Sequence, residues 1–411
     1  MTGLYIHIPY CQHKCSYCDF YSIEKTADIP TFVTTLCKEI RMRAESAVAL
    51  KEPFTTVFFG GGTPSLVAPS DMERIIRALR DSYAFSDECE WTMECNPGTV
   101  TRDSLTAYKG LGMNRLSFGV QSFHESELRF LERIHDASDV VKGVDGARRA
   151  GFDNINLDVM FALPGQTEER LSHTLRNIVS LGPEHVSAYS LIYEEGTPLH
   201  ARLLRGDIRK LPEEDDARMY ELTIDFLESQ GYRQYEVSNF AKEGHRCRHN
   251  LCYWTGSNYL AFGPSAHGYV GDTRYRNVRN ISRYMDAVDS GRLPTIGTET
   301  LRHDQVLFEN VFLGLRSTGV HVGRLMASHG CDVASIIRQD ESWMEEEGYV
   351  EIGEEVRLTR KGFLVCDDLT LNIIRRLERH MGSVWEQSDI PDDGSDVVAL
   401  DINLSSTVSS S

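Results

Sequence analysis

Leu4-Tyr5-Ile6-His7-Ile8-Pro9-Tyr10-Cys11-Gln12-His13-Lys14-Cys15-Ser16-Tyr17-Cys18 is the stretch on which the reading of the whole chain turns. Its first five residues are a β-prone run closed by Pro9, the pattern of a short strand. Three cysteines spaced C-x-x-x-C-x-x-C follow at once. Three thiolates on one short loop can converge on one face of an iron–sulfur cube, because soft ligands suit iron–sulfide chemistry and close spacing needs little chain closure. Three ligands for four irons leave one iron open to a small molecule. The competing reading is a zinc site completed by His7 or His13, although zinc pairs usually come as C-x-x-C with a distant second pair.

Downstream, short apolar runs alternate with amphipathic stretches. Thr55 to Phe59, Trp91 to Cys95, Arg115 to Phe118, Ile155 to Phe161 and His185 to Leu191 read as strands. Ile29 to Leu50, Ser70 to Asp81, Arg102 to Leu111, Ala137 to Ala150 and Thr167 to Leu181 read as helices between them. This rhythm indicates successive β-α units around a parallel sheet. Six strands are too few for an eight-stranded barrel, so the expectation is an α/β fold, a partial six-unit (β/α) barrel over residues 1–195. Residues 196–298 open with a helix over 211–230 and continue, rich in Tyr, Asn, Arg and Gly, as a connecting or site-forming segment. Residues 299–385 combine helices over Asp304 to Leu315, Val333 to Glu347 and Arg360 to Arg379 with a short hairpin, which suggests a small winged-helix-like domain. Residues 386–411 are acidic and Ser-rich, the composition of a disordered tail.

Phe58-Phe59-Gly60-Gly61-Gly62-Thr63-Pro64 ends the second strand with three glycines, where a backbone without side chains lets a ligand approach closely. Together with the cysteine loop after strand one, this resembles the radical S-adenosylmethionine (SAM) superfamily. The resemblance implies a 4Fe-4S cluster on Cys11, Cys15 and Cys18 and SAM chelated by the open iron. Glu94-Cys95-Asn96-Pro97-Gly98, Arg115 to Gln121, Arg133-Ile134-His135 and Asn156-Leu157-Asp158 follow in the same order as in the oxygen-independent coproporphyrinogen III oxidase family. That resemblance implies SAM contacts from Tyr5, the Gly60-Gly61-Gly62 turn, Thr63, Glu94, Gln121, Arg133 and Asp158. Arg133 can pair with a carboxylate, Glu94 can accept from an ammonium, and Gln121 with Asp158 can hold ribose hydroxyls. Tyr17 lies between two of the cysteines and could pack against adenine.

Three features depart from the oxidases. Phe20 stands where they carry a fourth cysteine, only ten residues precede Cys11, and Cys247-Arg248-His249-Asn250-Leu251-Cys252-Tyr253-Trp254 contains H-N-x-x-Y-W. All three resemble the HemW-type heme chaperones of the same family. His249 could offer an imidazole to heme iron beside Tyr253 and Trp254, with Cys247, Cys252 or His267 as alternatives. The implied partners are heme or porphyrin, a heme-acceptor protein, an electron donor such as a flavodoxin-type reductant, and a second copy of the chain. The alternative function is oxidative decarboxylation of coproporphyrinogen III. Ala162 stands where these families commonly place Gly and is tolerable unless the backbone needs a positive φ. Cys37, Cys89, Cys331 and Cys366 stand alone and read as buried, inert thiols.

The 411 residues carry 43 Lys plus Arg against 61 Asp plus Glu, a net charge of −18, which argues against gripping a phosphate backbone and so against a nucleic-acid partner. Fourteen of those charges lie in 340–355 and 386–411, so around the expected site charge says little. No stretch is apolar enough to span a membrane, and the start shows neither a secretory signal nor a transit peptide. The expectation is a cytoplasmic protein with reduced thiols.

Overall fold

Strand β1 (Thr2–Ile8) is buried at six of its seven positions, the condition of a strand covered on both faces in a parallel sheet. β2 (Phe54–Gly61), β3 (Phe85–Cys95), β4 (Arg115–Gln121), β5 (Ile155–Phe161) and β6 (His185–Ser190) follow in sequence order, each parallel to the one before. Five long helices connect them: Ile29–Ser46, Pro69–Ser82, Arg102–Gly110, Ala137–Arg149 and Glu168–Ser180. Their starts are chemically marked. Thr101 with Ser104 and Asp136 with Asp139 form capping boxes, Thr167 caps the fifth, and Pro69 opens the second. This is the expected α/β partial barrel of six units. The structure, a computed structural model, describes residues 1–46, 50 and 52–381, so the tail expected over 386–411 lies outside the described residues.

Both edges of the six-stranded sheet are extended by strands from residues 233–300, so the last of them crosses the boundary expected at 298. β7 (Arg233–Gln234) and β8 (Asn239–Ala241) add antiparallel beyond β6. At the other edge β9 (Asn258–Phe262) runs parallel to β1, and β10 (His267–Val270), β11 (Thr273–Asn277) and β12 (Thr295–Thr300) continue antiparallel. The result is a twelve-stranded sheet in which β1 has β9 on one side and β2 on the other. The apolar core packs between this sheet and the helices, from Leu4, Ile6 and Ile8 through Phe59, Met93, Phe118 and Leu157 to Phe262.

The C-terminal region has its own core around Leu307, Val311, Val356 and Ile373. Helices surround a three-stranded antiparallel sheet of β13 (Val320–His321), β14 (Val350–Ile352) and β15 (Glu355–Leu358), in the order β13-β15-β14. The helix expected over Val333 to Glu347 is broken into Val333–Asp340 and Trp343–Glu346. The break falls at Glu341, whose buried carboxylate accepts from Trp343 Nε1 at 2.6 Å and pairs with Arg376. Among the described residues no helix is long and apolar enough to cross a membrane.

Candidate functional site

Parallel pairing puts residues of equal register on the same face. Tyr5 pairs with Phe58, His7 with Gly60, Glu94 with Ser117, and Asp158 with Ser187, so the concave face of the sheet is polar and ionisable while the opposite face is core. The C-terminal ends of β1 to β5 carry the residues singled out from sequence, where sites of such sheets form.

The cysteine loop is fixed by the protein itself. Cys11 N–H donates to Ile23 O at 3.0 Å, Ile23 N–H to Pro9 O at 2.8 Å, and Cys18 N–H to Cys15 O at 3.2 Å. Thr63 Oγ1 donates to Cys11 Sγ at 3.6 Å. Arg133 Nη1 donates to Cys15 Sγ at 3.9 Å, and its Nη2 donates to Gly119 O at 2.6 Å, so one guanidinium bridges the loop and the end of β4. Burial pushes the Cys15 and Cys18 thiols up, the latter to about 11, and Arg133 opposes this at Cys15. Tyr17 packs on the apolar group of Leu131, Met160, Leu163, Leu191 and Leu199. The Arg133 charge opposes the rise that burial gives the Tyr17 phenol.

The glycine turn is packed against that loop. A Cβ at Gly61, whose φ is +107°, would lie 2.4 Å from His7 Cε1; one at Gly62 would lie 2.6 Å from Tyr10 O; one at Gly60 would meet Phe58 at 2.9 Å and Glu94 at 3.1 Å. Gly62 N–H donates to Ile8 O at 2.8 Å and Thr63 N–H to Tyr10 O at 2.6 Å. What the absent side chains admit here is the chain's own β1 and cysteine loop. Gly61 N–H also donates to Glu94 Oε2 at 3.1 Å.

Glu94 and Asp158 are the acidic centre. Burial, then the charge of Asp158, pushes Glu94 up to about 8, and burial pushes Asp158 up to about 6 against the pull of Asn156, Arg115 and Arg133. Asn156 Nδ2 donates to Asp158 Oδ1 at 2.7 Å, and Asn156 Oδ1 lies 2.6 Å from His185 Nδ1, whose Nε2 lies 2.8 Å from the Tyr235 hydroxyl. Tyr5 lies near Glu94, stacks at 24° on Phe58 and hydrogen-bonds His7 Nδ1 at 3.0 Å. His7 Nε2 donates to Tyr21 O at 2.8 Å, and burial holds that imidazole neutral, at about 4. Asn156, His185 and Arg115 are not among the site residues the sequence points to, and His7 is there only as a ligand of the competing zinc reading. The i, i+2 spacing of Asn156 with Asp158 and of Tyr5 with His7 was the available signal.

Backbone strain gathers at the same end. Among the described residues the non-glycine positions with positive φ are Gln121 (68°), Glu132 (55°), Ala162 (58°) and Ser265 (64°). Gln121 follows a register shift between β4 and β5, Glu132 precedes Arg133, and Ala162 follows β5. The backbone at 162 therefore does require the conformation that favours glycine. Strain of this kind concentrates at functional sites.

His249 is placed differently from an open ligand. Cys247-to-Trp254 forms a short helix, Arg248–Trp254, because Glu90 on β3 accepts from the backbone N–H groups of Arg248 at 3.2 Å and His249 at 3.1 Å, satisfying its N-terminus. The His249 ring is 1% exposed and stacks on Phe58. Nδ1 meets Thr56 Oγ1 at 2.8 Å and Nε2 meets Tyr253 OH at 2.9 Å, so both nitrogens are occupied, and burial holds the ring neutral, at about 3. To bind iron it would have to surrender one of these bonds. Cys247 and Cys252 are buried, burial raises both thiols, Cys247 to about 12, and neither is presented as a thiolate. Cys37, Cys89, Cys331 and Cys366 are also buried.

The sequence matches the family model described as Radical SAM superfamily over residues 5–178. It is 37% identical over 377 residues to the heme chaperone HemW of Bacillus subtilis, covering 90% of this chain and 98% of that protein. It is 35% identical over 326 residues to the mitochondrial radical S-adenosyl methionine domain-containing protein 1 of Danio rerio, covering 77% and 72%. Among solved structures it is similar to coproporphyrinogen III oxidase (HemN) of Escherichia coli, with a TM-score of 0.78 at 23% identity, over 92% of this chain and 90% of that one, a likeness of fold. Radical SAM membership implies a 4Fe-4S cluster and SAM, and the residues present fit both. Gln121 Oε1 and Arg133 Nε are buried with no hydrogen-bond partner in the protein, as groups awaiting a polar ligand are. Among the described residues no three His, Cys, Asp or Glu side chains converge on one ion, as a zinc site would need; cysteines on a cube each take a different iron. The chain belongs to the radical SAM superfamily and, within it, to the family of the HemW heme chaperones.

Proposed function

We propose that this protein is a heme chaperone that holds a 4Fe-4S cluster on Cys11, Cys15 and Cys18, binds SAM beside it, and binds heme for delivery to acceptor proteins. The observation that carries the reading is the match to a relative named as a heme chaperone over 90% of this chain and 98% of that relative. A bound cluster supplies one-electron reduction and an open iron. Around it the protein's residues bind and orient SAM. Arg133, already turned toward Cys15 and Gly119, presents its remaining donors to the methionine carboxylate. Glu94, protonated when free at neutral pH, gives up its proton to meet the ammonium, and Asp158 with Gln121 Oε1 takes ribose hydroxyls. Tyr5 and Tyr17 flank the site, Gly60, Gly61 and Gly62 keep its floor close to β1, and Thr63 steadies Cys11. His249 in this reading organises the wall formed by Phe58 and Tyr253. A flavodoxin-type reductant, a second copy of the chain and a cytoplasmic setting complete the proposal.

The test is anaerobic reconstitution followed by two assays on one sample. A Soret change on heme titration, with transfer of heme to an apo-acceptor, is the expected outcome. Vinyl product from coproporphyrinogen III would instead make the chain an oxidase.

A further inference from the structure

Asp158 is held from behind. Two residues before it on the same face of β5, Asn156 donates from Nδ2 to Asp158 Oδ1 at 2.7 Å and to Ser117 Oγ at 2.8 Å, while its Oδ1 accepts from Ser187 Oγ at 3.1 Å. The fourth bond joins that oxygen to His185 Nδ1 at 2.6 Å. An amide has two N–H donors and two lone pairs, so the capacity of Asn156 is fully used. The opposite amide orientation would set its oxygen against the Asp158 carboxylate, so only one orientation serves.

That orientation dictates the next hydrogens in turn. With Asn156 Oδ1 facing it, His185 carries its proton on Nδ1. The ring is fully buried, and burial, then the charge of Arg115, holds it neutral, so there is one proton to place. Nε2 is left as an acceptor, and the Tyr235 hydroxyl donates to it at 2.8 Å. The Tyr235 oxygen accepts from Cys247 N–H at 3.2 Å, and Cys247 is the residue that leads into the helix Arg248–Trp254. Cys247, Tyr235, His185 and Asn156 are all buried and Asp158 is half-buried, so the carboxylate is the one member of the chain that meets a ligand. Buried hydrogen-bond chains whose members are all satisfied polarise one another and hold a single arrangement.

We propose that His185 is a positioning residue for the SAM site: through Asn156 it holds the Asp158 carboxylate in the orientation that takes the ribose hydroxyls, and Tyr235 fixes its tautomer from the start of the helix that carries H-N-x-x-Y-W. The inference rests on the reading of Asp158 as a SAM contact and deepens it.

Full-length protein, anaerobically reconstituted and titrated with SAM by calorimetry, tests it. His185→Leu should keep its cluster iron and lose roughly tenfold in SAM affinity. His185→Asn, which places an amide N–H where Nδ1 stands, should recover most of that loss. With Asp158→Ala already present, His185→Leu should change affinity by less than about twofold, because its effect passes through the missing carboxylate. Tyr235→Phe, which removes one oxygen, should lower affinity roughly threefold with Asp158 present and not measurably without it; this milder pair decides the matter if His185→Leu fails to fold. Unchanged affinity in His185→Leu, equal losses with and without Asp158, or no rescue by His185→Asn makes His185 a packing residue and overturns the inference, while SAM binding at Asp158 stands. Wild-type affinity in Asp158→Ala alone overturns the reading of Asp158 and the inference with it.

Discussion

Asp158 stands close enough to Glu94 for its charge to add to burial in holding the Glu94 carboxyl at about 8. Two carboxyls in one enclosed space resist ionising together, and a cation between them relieves that resistance. SAM binding at pH 7 should therefore release up to one proton from Glu94. Calorimetry in buffers of different ionisation enthalpy will show an apparent binding enthalpy that varies with the buffer; a buffer-independent enthalpy counts against the assignment.

The same elevation sets a stability profile. Because the folded value lies above the ordinary one of 4.5, the contribution of Glu94 to stability is fully present below about pH 4.5 and is lost as pH rises through 8. Glu94→Gln removes the titration. The variant should match wild type near pH 4 and exceed it by on the order of 3–5 kcal/mol near pH 9, read from denaturant midpoints, while its SAM affinity falls.

Cys15 is expected to hold one iron, so Cys15→Ala should abolish the cluster; retention of about four irons per chain after anaerobic reconstitution would contradict the assignment. Arg133→Lys is the finer probe. Lysine keeps the charge but cannot bridge two partners as a planar fork, so iron content should be preserved and SAM affinity reduced roughly tenfold.

Ala162 sits at φ +58° and is 4% exposed. A methyl-bearing residue there costs about 1–2 kcal/mol, partly offset by the roughly 0.5–1 kcal/mol of chain entropy that glycine would lose on folding. Ala162→Gly should raise the unfolding midpoint slightly, and Ala162→Val should lower it by about 2 kcal/mol or more, since branching at Cβ worsens the same clash. A destabilised Gly variant would show that the strain is relieved elsewhere.

The six parallel strands could be read in advance because burial on both faces leaves apolar runs such as Val57 to Phe59 and Val159 to Phe161, with helix starts marked by Thr101, Asp136 and Thr167. The edge strands could not. Thr273 to Asn277 alternates Arg with Tyr, and its pattern makes sense only once β10 and β12 lie beside it. His249 was opaque for a related reason. Its partner Thr56 is 193 residues away and the Glu90 cap 159, and no local pattern announces either. The cysteine spacing, the glycine turn and the order of Glu94, Gln121, Arg133 and Asp158 were visible as types and positions. What packs the glycine turn, and what strains Gln121, emerged only in three dimensions.

The hydrogen bonds from Gly62 and Thr63 to Ile8 and Tyr10 join the glycine turn and the first cysteine into one piece of backbone. The first thiol and the turn therefore move as one unit, and a substitution that displaces those two amides carries Cys11 with it.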